Sequence, residues 1–435
     1  MNVELGFWAI GVLVFLLFLR IPIGIALIAV AMWGIWYLRG WGTAFGSLRT
    51  IPFDFVAHWT LSAVPMFVLM GAIAARGGLT AGLFDAMRVW LVRLPGGLAI
   101  ATSFAGAGFA AICGSSLATT AAMGRIAVPQ MLRQGYDVGL ATGTAAAVGT
   151  IGALIPPSII MVIYAVFAEV SVGKMLIAGV IPGILTALAY AILIVVRVSL
   201  KPELAPRVVD SEITYSKKIR ALGQVWPIFA IAAGIVFAIY GGYATATEAG
   251  AIGAILTAIL VAVRGKFTRK LISESSSETA ATVASVFLIA IGATLLTQFL
   301  ALTGMPAYLS SVMIEVTSSQ IQIILICCLL YLVLGAFLDP LGVMLLTLPI
   351  LLPIFNAAGI NGIWAGVILV KMLEIGLLTP PLGLNVFVMK SVMGRSIGVN
   401  RIFGGVSWFL LAEVGVMTLL IAFPQIILFL PNLMG

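Results

Sequence analysis

Two stretches concentrate the polar chemistry of an otherwise apolar chain. One is Glu374-Ile375-Gly376-Leu377-Leu378-Thr379-Pro380-Pro381-Leu382-Gly383-Leu384-Asn385, inside an apolar run from Ile360 to Met393. The other is Cys113-Gly114-Ser115-Ser116, with Thr119 one turn further on. A Pro-Pro pair interrupts a helix, because each ring removes an N–H donor and clashes with the preceding turn. Within a bilayer such freed backbone groups are tolerated only where protein covers them or where they line a polar cavity. Hydroxyl, amide and carbonyl oxygens gathered at a break suit a small cation, and a half-helix N-terminus facing them suits an anion. Read one at a time, the same residues fit a ligand-free Pro kink and close helix packing by Ser and Thr.

The elements that must hold these residues are membrane helices. Of 435 residues, 62% are hydrophobic and 9% charged, and the mean hydropathy is +1.21. That balance excludes a soluble fold and points to an all-α polytopic membrane protein in a lipid bilayer. The net charge of +8 sits at the ends of apolar runs, where it signals orientation and not nucleic-acid binding. Cys113, Cys327 and Cys328 lie in apolar segments without metal-ligand spacing, and His58 stands alone. No His-Glu-x-x-His, catalytic aspartate pair, Ser with a plausible His partner or Walker-type loop is present, which argues against an enzyme and against nucleotide hydrolysis.

In chain order, residues 1–78 read as N-terminal scaffold helices, with a polar link before about Phe53. Residues 79–94 form an amphipathic arm helix along the interface. The first transport repeat spans 95–170, with a helical hairpin at 96–134 and a broken helix at 137–168. Its arms of about 17 residues are short for a full crossing; two ordinary short helices are the alternative. Scaffold helices and the polar loop 199–222 occupy 171–304, and a second arm helix 305–318. The second transport repeat spans 319–394, with a hairpin at 320–356 and a broken helix at 361–393. A C-terminal scaffold helix, 395–435, ends the chain.

The two repeats align without a gap. Pro380 lies 224 residues after Pro156, and the same offset pairs Gly152 with Gly376, Pro157 with Pro381, Pro129 with Pro353 and Gly135 with Gly359. It also lays Ser115 on Asp339 and Ser116 on Pro340. Placing the Lys- and Arg-rich loop 199–222 inside puts the N-terminus outside and gives the copies opposite orientation; Arg39 and Arg49 run against this. Inverted repeats of hairpins and broken helices are a transporter architecture with binding near the midplane. The fold expected is therefore an inverted repeat of two re-entrant hairpins and two broken helices.

Sodium needs about five or six oxygens, and each repeat can supply a set. The first comprises Gly114, Ser115, Ser116, Thr119, Thr150 and Pro156. The second comprises Asp339, Pro340, Thr379, Gly383 and Asn385. Substrate candidates are Ser115, Ser116, Arg125, Ser158 and Thr379; Arg125 reads equally as a marker of the cytoplasmic rim. Among the embedded acids Glu248, Asp339, Glu374 and Glu413, each a functional candidate by default, Asp339 ranks first. Glu374 follows Lys371 at i+3 and is expected to pair with it.

Together, Cys113 through Arg125, Ile155-Pro156-Pro157-Ser158, Ala246-Thr247-Glu248-Ala249, Phe337-Leu338-Asp339 and Glu374 through Asn385 resemble the large membrane subunit (DctM-like) of TRAP transporters, the tripartite ATP-independent periplasmic transporters. The resemblance covers essentially the whole chain; Asp339-Pro340 departs from it slightly. It implies an elevator-type ion-transporter fold and a sodium-coupled secondary importer of organic acids in a bacterial or archaeal inner membrane, with sodium as the coupling ion. It also implies two partners, a small four-helix membrane subunit and a periplasmic substrate-binding protein. With no small-subunit sequence before Met1, the former is expected as a separate chain. A stand-alone sodium/carboxylate symporter is the rival reading.

Overall fold

A computed structural model describes residues 2–206, 215–317 and 319–434. Its described regular elements are all helical. The chain opens with α1 (Val3–Phe18) and α2 (Ile23–Arg39). The link expected before Phe53 is instead a helix, α3 (Trp41–Val56). Its polar residues do not oppose the helix, because Thr43 and Thr50 donate back to the carbonyls four residues earlier. A short 3-10 turn leads into α4 (Ala63–Arg76), and Gly78 in the left-handed region opens the arm helix α5 (Leu79–Leu91).

The first helix–turn–helix follows as α6 (Gly97–Cys113) and α7 (Ser116–Arg133). Gly114, at φ +61°, turns the chain between them. Side chains there are excluded twice over, since a Cβ on Gly114 would sit 2.3 Å from the Pro157 carbonyl oxygen. The tip of the first hairpin therefore rests directly on the first Pro-Pro break. That break separates α8 (Val138–Val148), with a 3-10 extension to Ala153, from α9 (Ile159–Phe167).

The crossing expected from about Val172 is divided at Gly179 into α10 (Val172–Ala178) and α11 (Val180–Leu200). Gly179 allows this backbone to press on the break, because a Cβ there would meet the Leu154 carbonyl oxygen at 2.0 Å. Of the polar loop 199–222, residues 207–214, Arg207 among them, lie outside the described residues; helix resumes at α12 (Tyr215–Tyr240). Next come α13 (Ala246–Val263), the long α14 (Arg269–Thr303) and α15 (Met305–Val316).

The second helix–turn–helix is α16 (Gln320–Gly335) with α17 (Pro340–Ala357), and the second break separates α18 (Gly362–Gly376) from α19 (Leu384–Met393). Both Pro-Pro bonds, Pro156-Pro157 and Pro380-Pro381, are cis. The single C-terminal segment expected from sequence is divided at Pro424 into α20 (Val399–Ala422) and α21 (Gln425–Asn432).

Six helical segments among the described residues are long and apolar enough to cross a bilayer, seven if bent α12 is one span. The C-terminal α20 lies along α8 of the first broken helix, with the two backbones in close approach. The cause is glycine on both partners: a Cβ at Gly143 would fall 2.6 Å from the Gly405 carbonyl carbon, and one at Gly405 would fall 1.9 Å from the Gly139 oxygen. Small residues let backbones approach where lipid offers no hydrophobic drive to association. α11 packs on α6 and α20.

Orientation can be read at the exposed Glu203 just after α11. With positive loops inside, a Glu203→Cys variant in intact cells should react only with membrane-permeant thiol reagents. Labelling by an impermeant reagent from outside would reverse the assigned orientation.

Candidate functional site

The site is built where helix ends leave backbone groups without intrahelical partners. α8 stops at Val148, so the carbonyls of its last turn need donors. Ala146 receives two, from Thr120 Oγ1 at 3.3 Å and from Asn385 Nδ2 at 3.3 Å. Ala147 accepts from Thr150 Oγ1 at 2.8 Å. Gly149 makes room for this convergence: a Cβ there would lie 2.1 Å from Thr120 Oγ1, 2.7 Å from the Ser116 carbonyl oxygen and 2.9 Å from Asn385 Nδ2. One hairpin and both broken helices thus meet at a single point.

Ser115 caps α7, its Oγ accepting from Ala118 N, and Thr119 Oγ1 donates to the Ser115 carbonyl at 2.9 Å. Ser116 Oγ reaches across to α18 and donates to Glu374 Oε2 at 2.6 Å. Glu374 and Asn385 are fully buried. Glu374 Oε1 and Asn385 Oδ1 have no protein donor. Buried acceptors without donors are costly, and a monovalent cation is the ligand that such oxygens suit. Around the hairpin tip, then, Glu374 Oε1 and Asn385 Oδ1 are the oxygens that could hold a small cation.

The expected pairing of Glu374 with Lys371 is not what forms. Lys371 Nζ lies 2.8 Å from Glu413 Oε1 and 2.7 Å from Oε2 on α20, and donates to Thr186 Oγ1 of α11 at 2.9 Å. Tyr190 donates to Glu413 and lies 3.0 Å from Thr150 Oγ1. Lys371 and Glu413 are both fully buried. An ammonium taken out of water needs a carboxylate with good geometry, and α20 supplies one while Glu374 faces the first hairpin.

The two sodium sets divide differently from the sequence expectation. Asn385 was grouped with Asp339; it sits instead beside Ser116 of the other set, because α19 packs on α7 and α8. Among the described hydrogen bonds none joins Asp339 to Thr379, Gly383 or Asn385. Asp339 is the N-cap of α17, accepting from Leu341 N at 3.1 Å and Gly342 N at 3.3 Å, with Pro340 at the first helical position. Thr379 donates to the Ile375 carbonyl, and Gly383 turns the chain at φ +56°. Thr150 Oγ1 lies 3.0 Å from the Tyr190 hydroxyl and donates to Glu413 Oε1 at 3.4 Å, so it borders the Lys371–Glu413 cluster.

The remaining candidates are more dispersed. Pro156 begins the turn whose next carbonyl faces Gly114. Ser158 caps α9 through Met161 N. Arg125 is exposed and lines a cavity of about 450 Å³ with Arg76 and Glu278. Arg76 in turn binds Glu274 and Glu278 of α14. Glu248 is not an embedded acid of the site: it completes a capping box with Thr245 at an exposed helix start. Sequence reading missed Thr120, Thr186 and Tyr190. A signal existed for each, since Thr120 stands at i+4 from Ser116, and Thr186 and Tyr190 are themselves i,i+4, on one face of a helix.

The family model described as "Tripartite ATP-independent periplasmic transporter, DctM component" matches residues 10–426. The C4-dicarboxylate TRAP transporter large permease protein DctM of Pseudomonas aeruginosa is 36% identical over 396 residues, covering 89% of this chain and 90% of that one. The sialic acid TRAP transporter large permease protein SiaM of Vibrio cholerae is 30% identical over 420 residues, covering 96% of each. Among solved structures, the Alcanivorax borkumensis YdaH transporter aligns with a TM-score of 0.63 at 17% identity over 89% of each chain, a likeness of fold. These relatives are named as transporters and permeases, not as enzymes. Matched from residue 10 to residue 426, the chain belongs to the tripartite ATP-independent periplasmic transporter family as its large permease, or DctM, component.

Proposed function

We propose that this permease is a sodium-coupled importer of an organic anion across the inner membrane. It receives the substrate from a periplasmic binding protein and works with a small four-helix membrane subunit. Relatives are named for C4-dicarboxylate, isethionate and sialic acid, so the substrate class is a carboxylate or similar small organic anion. One observation carries the reading: the Ser116 tip, Glu374 and Asn385 converge from both repeats, leaving two buried oxygens without protein donors.

In this reading sodium is cargo. Glu374 supplies charge, the Ser116 and Asn385 oxygens supply neutral ligands, and Gly114, Ser115 and Thr119 shape the tip that closes on the ion. Because the set draws on a hairpin and two breaks, ion binding ties together elements that move as one body. Such a body would slide against α1–α4 and α14 as an elevator. The start of α7 at Ser116 directs backbone N–H groups toward the tip, which favours an anion there.

The test is reconstitution in proteoliposomes under an inward sodium gradient. Uptake of labelled C4-dicarboxylate or sialic acid should require the small subunit and the binding protein together. Robust uptake by this chain alone would support a stand-alone symporter instead. Uptake by the full assembly that ignores the sodium gradient would remove the coupling ion.

A further inference from the structure

At one end of the bundle, α8 begins, α11 ends and α20 begins around a crevice of about 430 Å³ lined by Asp137, Arg197, Asn400 and Arg401. Gly404 and Gly405 keep its wall low. Arg197 lies one turn before the end of α11, and Arg401 lies in the first turn of α20. Both helices are long and apolar enough to cross a bilayer. Their outward residues Ile192, Val196, Leu411 and Val414 are exposed and apolar. The crevice therefore opens toward lipid at headgroup depth, where long basic side chains reach the interface.

Three features show a site built for an anion. The Arg197 guanidinium is held 4.5 Å over the exposed Trp408 ring, which fixes its direction. Its Nη1 is shielded from solvent and has no acceptor among the described residues. Arg401 is exposed, and among the described contacts its side chain has no partner. Asp137 is the one acid of the lining, and its Oδ1 already accepts from Leu140 N at 2.9 Å as the cap of α8. Two guanidiniums against one engaged carboxylate leave the crevice positive.

We propose that this crevice binds the phosphate of an anionic membrane lipid, gripped by Arg197 and Arg401 with its acyl chains along α11 and α20. A guanidinium suits phosphate through paired N–H donors, and basic pockets between membrane helices suit anionic headgroups. Occupancy would tie the start of α8 to α20, the helices that carry the ion site and the Lys371–Glu413 pair.

The probe is native mass spectrometry of the full-length protein in detergent, titrated separately with phosphatidylglycerol, phosphatidylcholine and inorganic phosphate. Phosphatidylglycerol should bind one equivalent in preference to phosphatidylcholine. Arg401→Gln and Arg197→Gln should each weaken it roughly fivefold. Arg401 is exposed, so its variant tests the site even where loss of the Arg197–Trp408 contact impairs folding. Equal affinity for both lipids, or no change in Arg401→Gln, overturns the proposal. Competition by inorganic phosphate as effective as that of the lipid overturns the lipid source and leaves a soluble-phosphate site.

Discussion

Glu374→Gln should raise the sodium concentration for half-maximal uptake by roughly 12- to 150-fold, and Ser116→Ala by roughly 5- to 150-fold. The ranges follow from about 1.5–3 kcal/mol for a hydrogen bond to a charged group and about 1–3 kcal/mol for an unsatisfied buried polar group, at about 1.4 kcal/mol per tenfold. Glu374 is fully buried, its Oε2 accepts from Ser116 Oγ at 2.6 Å, and its Oε1 has no protein donor. The glutamine keeps the volume and removes the charge beside the ion. Asn385→Ala should act in the same direction, because Asn385 brings the second break to the same point. Asp339→Asn should have the smaller effect, reversing the ranking expected from sequence. Asp339 serves the backbone N–H groups of Leu341 and Gly342, and asparagine caps helices almost as well as aspartate. The measurement is uptake by the reconstituted assembly against sodium concentration at fixed substrate, with the thermal stability of each variant recorded. A sodium dependence unchanged in Glu374→Gln, Ser116→Ala and Asn385→Ala would leave the two breaks as hinges without an ion.

Lys371→Met should lower the stability of the purified protein by about 3–5 kcal/mol, the cost of leaving one member of a buried ion pair alone. The lysine is fully buried and contacts both Glu413 oxygens and Thr186. Removing it strands the Glu413 carboxylate among Tyr190, Thr150 and apolar side chains. A second change separates this explanation from simple loss of packing. The double variant Lys371→Met/Glu413→Leu removes both charges, and replacing a buried pair by apolar residues of similar volume is often neutral or stabilising. It should therefore recover most of the loss. Thermal unfolding in detergent, followed by intrinsic fluorescence, gives the comparison. A single variant as stable as the wild type, or a double variant no better than the single, would show that the pair does not hold α18 to α20. Because Lys371 and Glu374 share α18 one turn apart, the pair also fixes how the helix presents Glu374 to the first hairpin.

Features that act over a few residues were legible in the sequence. Gly114 before Ser115-Ser116 marks a turn because only glycine takes its left-handed conformation without cost. Pro156-Pro157 and Pro380-Pro381 mark breaks because proline cannot extend a helix interior. The 224-residue offset followed from these breakers, and both helix–turn–helix units and both broken helices stand at the expected places. What the tertiary structure alone decided was pairing across long separations. In sequence, Glu374 has Lys371 at i+3 as its obvious partner. In the fold, Lys371 extends to Glu413 of α20, and Glu374 meets Ser116, 258 residues away. Asn385 belongs by repeat to Asp339, yet the packing of α19 carries it to Ala146 and the first hairpin. Periodicity tells which residues share a helix face. It cannot tell which neighbouring helix that face meets, because in an apolar chain nearly every face is compatible with burial. The choice fell to close backbone approaches at a few glycines, Gly143 against Gly405 and Gly149 beneath Ser116, and to the need of each buried charge and each severed helix end for a partner.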